Sequence, residues 1–427
     1  MFATDAARWF SRQGIHYGWV MVGLTFLVSI CTSAASSLPG VLIVQMTEEF
    51  GWSRSAIAGA MGVMFCLFAI MAPFAGALMI RYGLRRVVTA ATALAVIAVI
   101  GLTRVDQVWH VWVSLAALGA ASGMLALVLS ATVVNRWFVE RRGLVMGLLT
   151  AAFAVGQLSF LPAAAALATN FGWRTAVLPV IIGLAICTIL YLLLARDWPS
   201  DVGLPPYGNA EIVPPTVPSA SNVITMSLQT LYESLSYGPF WILAGTFFIC
   251  GLSSTGIVNQ HFVPFCGDMG VSALVAASFL AMMGVFNFIG TVGSGWLSDR
   301  FDNRALLAWY YGLRGLSLIW LPFSSFDLFS LSLFAIFFGL DYIATVPPTV
   351  KLAGLHFGPE KAAIVFGWAF AAHQLGSATS AAVGGVWRDM AGNYAQAFIT
   401  VGVISILASM AVFGLRDVRV ARPVAAE

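Results

Sequence analysis

The second half of this chain repeats the apolar pattern of the first at an offset of about 219 residues, and the match extends to the loops. Gly51, Gly76 and Phe138 meet Gly270, Gly295 and Phe357 at that offset; Arg141, Gly147 and Gly156 meet Lys361, Gly367 and Gly376 one residue later. The repeated unit is not a soluble domain. With 60% hydrophobic and 9% charged residues, 427 residues carry too little polar surface to cover one core. Mean hydropathy is +0.90. Two related membrane halves around a central path are the layout of a secondary transporter.

Each bilayer crossing needs roughly 20 apolar residues, and the pattern predicts an all-α protein with twelve of them. They are expected near 18–45, 55–80, 87–104, 109–135, 143–168 and 174–195, then 239–265, 272–298, 304–323, 328–354, 362–387 and 394–415. This divides the chain into a six-helix bundle at 1–195, a linker at 196–238 and a second six-helix bundle at 239–427. The linker contains Trp198-Pro199, Pro205-Pro206 and Pro214-Pro215-Thr216-Val217-Pro218, which predicts a partly extended connector. An amphipathic segment around Ser227 to Leu235 is expected at the membrane surface before the seventh span.

Charge sets the orientation. One side collects Arg8, Arg12, Arg81, Arg85, Arg86, Arg136, Arg141, Arg142, Arg196, Arg300, Arg304, Lys351, Lys361, Arg416, Arg419 and Arg422; the other keeps Arg54, Arg104, Arg174 and Arg388. Sixteen against four places both termini in the cytoplasm and the protein in the cytoplasmic (inner) membrane. Basic residues in short loops set topology, so the net charge of +3 implies no nucleic-acid partner. The apolar run that begins at Trp19 is too long for a signal peptide and is expected to stay as the first span. Cys31, Cys66, Cys187, Cys250 and Cys266 are scattered through apolar segments and read as small hydrophobes. No metal-ligand cluster, phosphate loop or catalytic triad stands out, so neither a cofactor nor an enzyme activity is expected.

Gly76-Ala77-Leu78-Met79-Ile80-Arg81-Tyr82-Gly83-Leu84-Arg85-Arg86 links spans 2 and 3, and Gly295-Trp296-Leu297-Ser298-Asp299-Arg300-Phe301-Asp302-Asn303-Arg304 links spans 8 and 9. Both resemble the signature loop of the major facilitator superfamily. The resemblance implies close packing at Gly76 and Gly295, an acid at Asp299 that caps and pairs across to a neighbouring helix, and arginines (Arg81, Arg85, Arg300, Arg304) that anchor the cytoplasmic face. The first copy has Ile80 where the second has Asp299, so the latch is expected to be chemically asymmetric.

His16-Tyr17-Gly18-Trp19-Val20, Phe50-Gly51-Trp52-Ser53-Arg54-Ser55, Asn135-Arg136-Trp137-Phe138-Val139-Glu140-Arg141-Arg142-Gly143 and Phe171-Gly172-Trp173-Arg174 are similar to the monocarboxylate porter and oxalate/formate antiporter branch of that superfamily. The resemblance implies a small organic anion moved with a proton or against another anion. Span 8 departs from the branch: it reads Met283-Gly284-Val285-Phe286-Asn287-Phe288-Ile289-Gly290-Thr291, without the arginine and acid common in monocarboxylate porters. Span 11 offers His373-Gln374 where the oxalate/formate type has a lysine.

Two charges fall in mid-span, Arg314 and Asp341. Isolated in lipid, each costs at least about 2.5–3.5 kcal/mol, so each is expected to face a cavity or a partner, and consecutive spans allow them to pair. Three readings remain open: a permanent structural pair, a proton-accepting Asp341 that releases Arg314, and direct substrate binding by Arg314. Asn259-Gln260-His261 puts three polar side chains in span 7, which cannot share one helix face. His261, His373, Asn259, Asn287, Gln157 and Gln374 are candidate donors to an anion that avoid the trap of two fixed cations. The expected partners are thus a small monocarboxylate, a proton and the bilayer, with alternating access as the mechanism. Organic-anion exchange, proton-coupled efflux of an amphiphile and a non-transporting membrane sensor are the alternatives.

Overall fold

The structure is a computed structural model that describes residues 8–10, 12–52, 54–214 and 222–415. Arg416, Arg419, Arg422 and Pro215 to Pro218 lie outside the described residues, as does the side chain of Gln157. The chain is an all-α membrane protein, and no strand forms among the described residues. The helices are α1 (Tyr17–Phe50), α2 (Arg54–Tyr82), α3 (Leu84–Thr103), α4 (Val108–Leu125), α5 (Leu127–Trp137), α6 (Arg142–Phe171) and α7 (Trp173–Leu194), then α8 (Val223–Leu235). The second set comprises α9 (Gly238–Gly251), α10 (Asn259–Asp268), α11 (Ala273–Ser298), α12 (Asn303–Trp320), α13 (Leu328–Asp341), α14 (Val346–Ala391) and α15 (Ala395–Ala411).

Twelve crossings follow from these fifteen helices because three crossings are broken, one helix serves two, and α8 is not a crossing. Span 4 is α4 plus α5, interrupted where Ala126 takes an extended conformation. Span 7 is α9 and α10 joined by a π-helical stretch, Leu252–Val258. Span 10 begins as α13 and resumes at Val346. α14 then turns at Gly358, whose φ of 79° is a left-handed conformation that favours glycine, and continues as span 11. Sequence periodicity predicted each of these as one uninterrupted span, because an apolar stretch looks the same whether or not its helix is broken.

The span 10 break has a local cause. Pro347 and Pro348 have no N–H to give to the carbonyls of Ile343 and Ala344. The chain answers with tight turns: the Ala344 N–H bonds the Asp341 carbonyl at 3.2 Å, and the Val346 N–H bonds that of Ile343 at 3.0 Å. The Ala344 carbonyl accepts instead from the Ser294 hydroxyl at 2.5 Å. The Tyr342 carbonyl, which the Val346 N–H would meet in a regular helix, is left able to accept from elsewhere in the bundle.

Glycine sets the closest approaches. A Cβ at Gly290 would overlap the Leu340 carbonyl, one at Gly376 the Phe248 carbonyl, and one at Gly251 the His373 carbonyl. Where no hydrophobic force acts between helices, such contacts let backbones pack. The linker is less free than its prolines predicted. Tyr207 pairs with Trp137 and Val139 through backbone bonds of 2.8 Å each, and His16 Nε2 lies 2.9 Å from the Pro205 carbonyl. The amphipathic segment forms α8, which docks on both α2 and α14: the Ser227 hydroxyl donates to the Pro73 carbonyl at 3.0 Å, and the Trp368 indole donates to the Ser227 carbonyl at 3.2 Å. Its uncovered face carries Ile224, Leu228 and Tyr232.

Candidate functional site

Arg314 of α12 and Asp341 at the end of α13 meet inside the second set of helices, with Nε to Oδ2 at 2.6 Å. Arg314 is 1% exposed and Asp341 7%. The guanidinium spends every face locally. Nη1 donates to the Cys250 sulfur at 3.1 Å and to the Ser253 hydroxyl at 3.3 Å. Nη2 donates to the Asp341 and Tyr342 carbonyls at 2.6 and 3.2 Å. The Tyr342 carbonyl is available because the Val346 N–H turns to Ile343 instead, the Asp341 carbonyl accepts from Arg314 as well as from Ala344, and the π-helical stretch contains Ser253. The charges are therefore accommodated by two departures from regular helix, in spans 7 and 10, as membrane proteins use irregular backbone where it serves buried polar groups. Asp341 is satisfied on one oxygen only: Oδ1 is buried and has no hydrogen-bond partner.

The other proposed site residues divide by distance from this pair. His373 stacks on Phe370 at 5.8 Å, packs against Phe247 at 5.0 Å and lies 3.0 Å from Gln374 Oε1 through Nδ1. Its backbone carbonyl lies against Gly251, the residue after Cys250, which puts His373 next to the Arg314 cluster. His261 is elsewhere: Nε2 lies 3.0 Å from the Ala381 carbonyl and the ring sits 5.2 Å from that of Tyr394. It stands eight residues beyond Ser253 on the same span, more than two turns away. Asn287 is buried on α11 and accepts from the Thr291 hydroxyl at 3.0 Å, while Asn259 is exposed. Cys250 and Ser253 were missed by sequence reasoning, since they precede Arg314 by about sixty residues in a span with no local signal.

A second site joins the halves. Asp299, at the C-terminal end of α11, accepts from the Gly143 and Leu144 N–H groups at 2.8 and 2.9 Å. It thereby caps α6, a helix of the first set, where the unsatisfied N–H groups and the positive end of the helix dipole favour an anion. Lys351 supports the carboxylate from its own half at 3.2 Å. The cap is possible because three glycines remove side chains from the crossing: a Cβ on Gly147 would meet the Thr291 carbonyl at 2.6 Å and Gly295 Cα at 3.0 Å, while Gly143 and Gly295 abut directly.

At the related crossing of α2 and α14, Gly76 faces the Ala363 and Ile364 backbone, and Gly367 faces Ala72 and Pro73. Here Ile80 lies in an apolar cluster with Ala77, Val223 and Ile364, and Lys361 pairs instead with Glu233 of α8. That pairing holds the Glu233 carboxyl below the usual range. These cross-half contacts lie at the ends of helices next to the arginine-rich loops, and Phe68 meets Phe370 at 5.6 Å further in. The chain is closed at that end.

The signature arginines hold partners within their own halves. The Arg85 N–H bonds Asp197 at 2.8 Å and its Nε the Leu192 carbonyl at 2.8 Å; Arg300 covers the Trp296 ring at 3.9 Å; Arg81 covers Tyr82 at 5.6 Å. Arg304 holds Asp302 and the Leu415 carbonyl at 3.1 Å. Arg304 keeps the Asp302 carboxyl below its ordinary value. The five cysteines are free thiols, and Cys31 and Cys187, far apart in sequence, meet with their sulfurs 3.7 Å apart.

The family model described as Major Facilitator Superfamily matches residues 25–381. An uncharacterized MFS-type transporter of Bacillus subtilis (strain 168) is 25% identical over 91% of this chain and 94% of its own length. Monocarboxylate transporter 12-B of Danio rerio is 22% identical over 94% of this chain and 88% of its own. The crystal structure of the human organic anion transporter MFSD10 superposes with a TM-score of 0.71 at 15% identity, covering 92% of this chain and 99% of that one.

Proposed function

Because this chain belongs to the major facilitator superfamily, whose transporters are not enzymes, we propose that it carries a small monocarboxylate together with a proton by alternating access between its two six-helix halves. The observation that carries the reading is the buried Arg314–Asp341 pair with one carboxylate oxygen unmatched. A carboxylate so placed that takes a proton loses its charge, and in doing so it releases its hold on the guanidinium. Arg314 then presents an uncompensated positive charge, which a monoanion offsets. Proton and anion cross together without net charge, and either alone leaves a buried charge that opposes the closed state. Monocarboxylate transporters among the relatives support the substrate class.

The roles follow from the distances. Asp341 carries the proton. His373 and Gln374, beside the cluster, are the first donors to the anion, with Asn287, Asn259 and His261 along the path. Asp299 on the α6 terminus and the glycine crossings around Gly76 and Gly295 form the latch. With the arginine-rich loops assigned to the cytoplasm, the closed end is the cytoplasmic one.

The test is reconstitution in liposomes with a fluorescent record of internal pH during addition of a panel of monocarboxylates. Protein-dependent acidification beyond free-acid leak is the expected result. Asp341→Asn should abolish uphill uptake and retain counterflow of labelled anion. Proton-driven accumulation by that variant would refute the role given to Asp341, and counterflow without any proton movement by the native chain would establish exchange instead.

A further inference from the structure

The two crossings that join the halves are related by the internal repeat, yet they are not held by the same groups. Where α6 meets α11, the Asp299 carboxylate bonds across to the Gly143 and Leu144 N–H groups. Position 80, its counterpart on α2, is an isoleucine, so the crossing of α2 and α14 has no such acid. α8 lies over this second crossing and bonds both of its helices through one residue. The Ser227 hydroxyl donates to the Pro73 carbonyl of α2 at 3.0 Å, and the Ser227 carbonyl accepts from the Trp368 indole of α14 at 3.2 Å. One turn earlier, Val223 is buried in a cluster with Ala77 of α2 and Ile364 of α14, and Ile80 and Met226 pack against it. We propose that α8 is a strap that holds this crossing closed in place of the missing acid, and that it travels with the second half when the crossing parts. The proposal is independent of which substrate or ion the protein moves.

α8 is tied unequally to the two halves. On the second-half side, Glu233 pairs with Lys361 at 2.5 Å and the Trp241 indole donates to the Leu235 carbonyl at 2.8 Å. Leu231 packs against the cluster of Phe240, Ala244 and Val365, and only Ser236 and Tyr237 separate α8 from α9. On the first-half side, the chain returns to α7 through residues 195–222, and the grip on α2 is one hydrogen bond plus apolar packing. Pro73, Ala77 and Ile80 are spaced so that they share one face of α2, and α8 holds that stripe alone. Parting of α2 from α14 therefore breaks the weaker set and leaves α8 on the second half. Ile80 fits this arrangement, because an apolar side chain completes the surface on which Val223 seats, and a carboxylate there would be desolvated by the strap.

The test uses the full chain in liposomes with spin labels at Val139 and Phe301, which are exposed beside the other crossing and so report the parting of the halves away from α8. Ser227→Ala removes one hydrogen bond to α2, and Val223→Ala removes two methyl groups from the shared cluster. Each should lower the closed-to-open ratio about fivefold. Leu228→Ala, on the uncovered face of α8, should leave it unchanged. The variants are measured in the native chain and in Asp299→Ala, where the other crossing is weakened, so that a small open population is still read. A second pair of measurements places a label at the exposed Tyr232. The open component should lengthen the distance from Tyr232 to Val139 and leave that from Tyr232 to Phe301 as it was. Unchanged distances for Ser227→Ala and Val223→Ala in both backgrounds, even with a lowered unfolding temperature, would make α8 a cover and overturn the proposal. So would an equal effect of Leu228→Ala, or an open component that separates Tyr232 from Phe301 and keeps it beside Val139.

Discussion

Removing the Asp299 carboxylate should shift the protein from the latched conformation by a calculable amount. The carboxylate makes two charge-assisted bonds to the N–H groups of Gly143 and Leu144, at 2.8 and 2.9 Å, and sits at the N-terminus of α6. An N-cap contributes about 0.5–2 kcal/mol and a favourable charge at a helix terminus about 0.3–1 kcal/mol at an exposed site. With the Asp299 side chain 18% exposed, about 2 kcal/mol is a fair sum of the two effects. Lys351 does not enter, because it lies in the same half as Asp299 and keeps its partner when the halves part. Asp299→Ala should therefore lower the closed-to-open ratio about 30-fold, since each 1.4 kcal/mol is a factor of ten. Asp299→Asn, which retains an acceptor but not the charge, should lower it about fivefold. Spin labels at Val139 and Phe301, both exposed beside the latch on opposite halves, report the ratio as a distance distribution. Asp302→Ala is the control, because Asp302 caps α12 within its own half. Unchanged distances in Asp299→Ala, or equal opening in Asp302→Ala, would refute the reasoning.

The same labels test the glycine crossing: Gly147→Ala should open the latch, because the backbone atoms it would meet cannot yield, whereas Gly293→Ala, with nothing within 4 Å, should not. For the buried pair, Arg314→Leu should lower stability by about 3–5 kcal/mol by leaving Asp341 uncompensated, and Arg314→Leu with Asp341→Leu should recover most of that loss; thermal unfolding in detergent decides, and a double variant no better than the single would contradict it. At the opposite end, Glu49 accepts from the Trp173 indole at 2.6 Å and pairs with Arg174 at 2.8 Å. The Trp173 bond first, then Arg174, holds its carboxyl below the ordinary glutamate value. Its contribution, under about 1 kcal/mol for an exposed pair, is present above roughly pH 4.3 and is lost as pH falls through the depressed folded value. Glu49→Gln should flatten that part of the stability profile, and an unaltered profile would assign the acid sensitivity to other carboxylates.

Much of the architecture was legible in order along the chain, because bilayer thickness imposes span length and insertion imposes charge bias, and both are local properties. The major facilitator fold followed from the repeated loops, and Asp299 was legible as the acid of one loop without a counterpart in the other. Arg314 and Asp341 were legible as charges too costly to stand alone. None of these inferences needed to know which helix faces which.

What the sequence could not supply depends on contacts between distant segments. The breaks in spans 4, 7 and 10 are invisible to an apolar periodicity, although Pro347-Pro348 hinted at the last. Cys250 and Ser253 became partners of Arg314 only when span 7 packed against it in the folded bundle, and His261, two turns further on, lies away from the same cluster. Composition by itself determined that this chain must bury its charges in pairs inside a helical bundle, because hydrocarbon offers them no other partner. Tertiary structure alone decided which partners: five acceptors around one guanidinium, one carboxylate oxygen left free, and an acid of one half seated on a helix of the other.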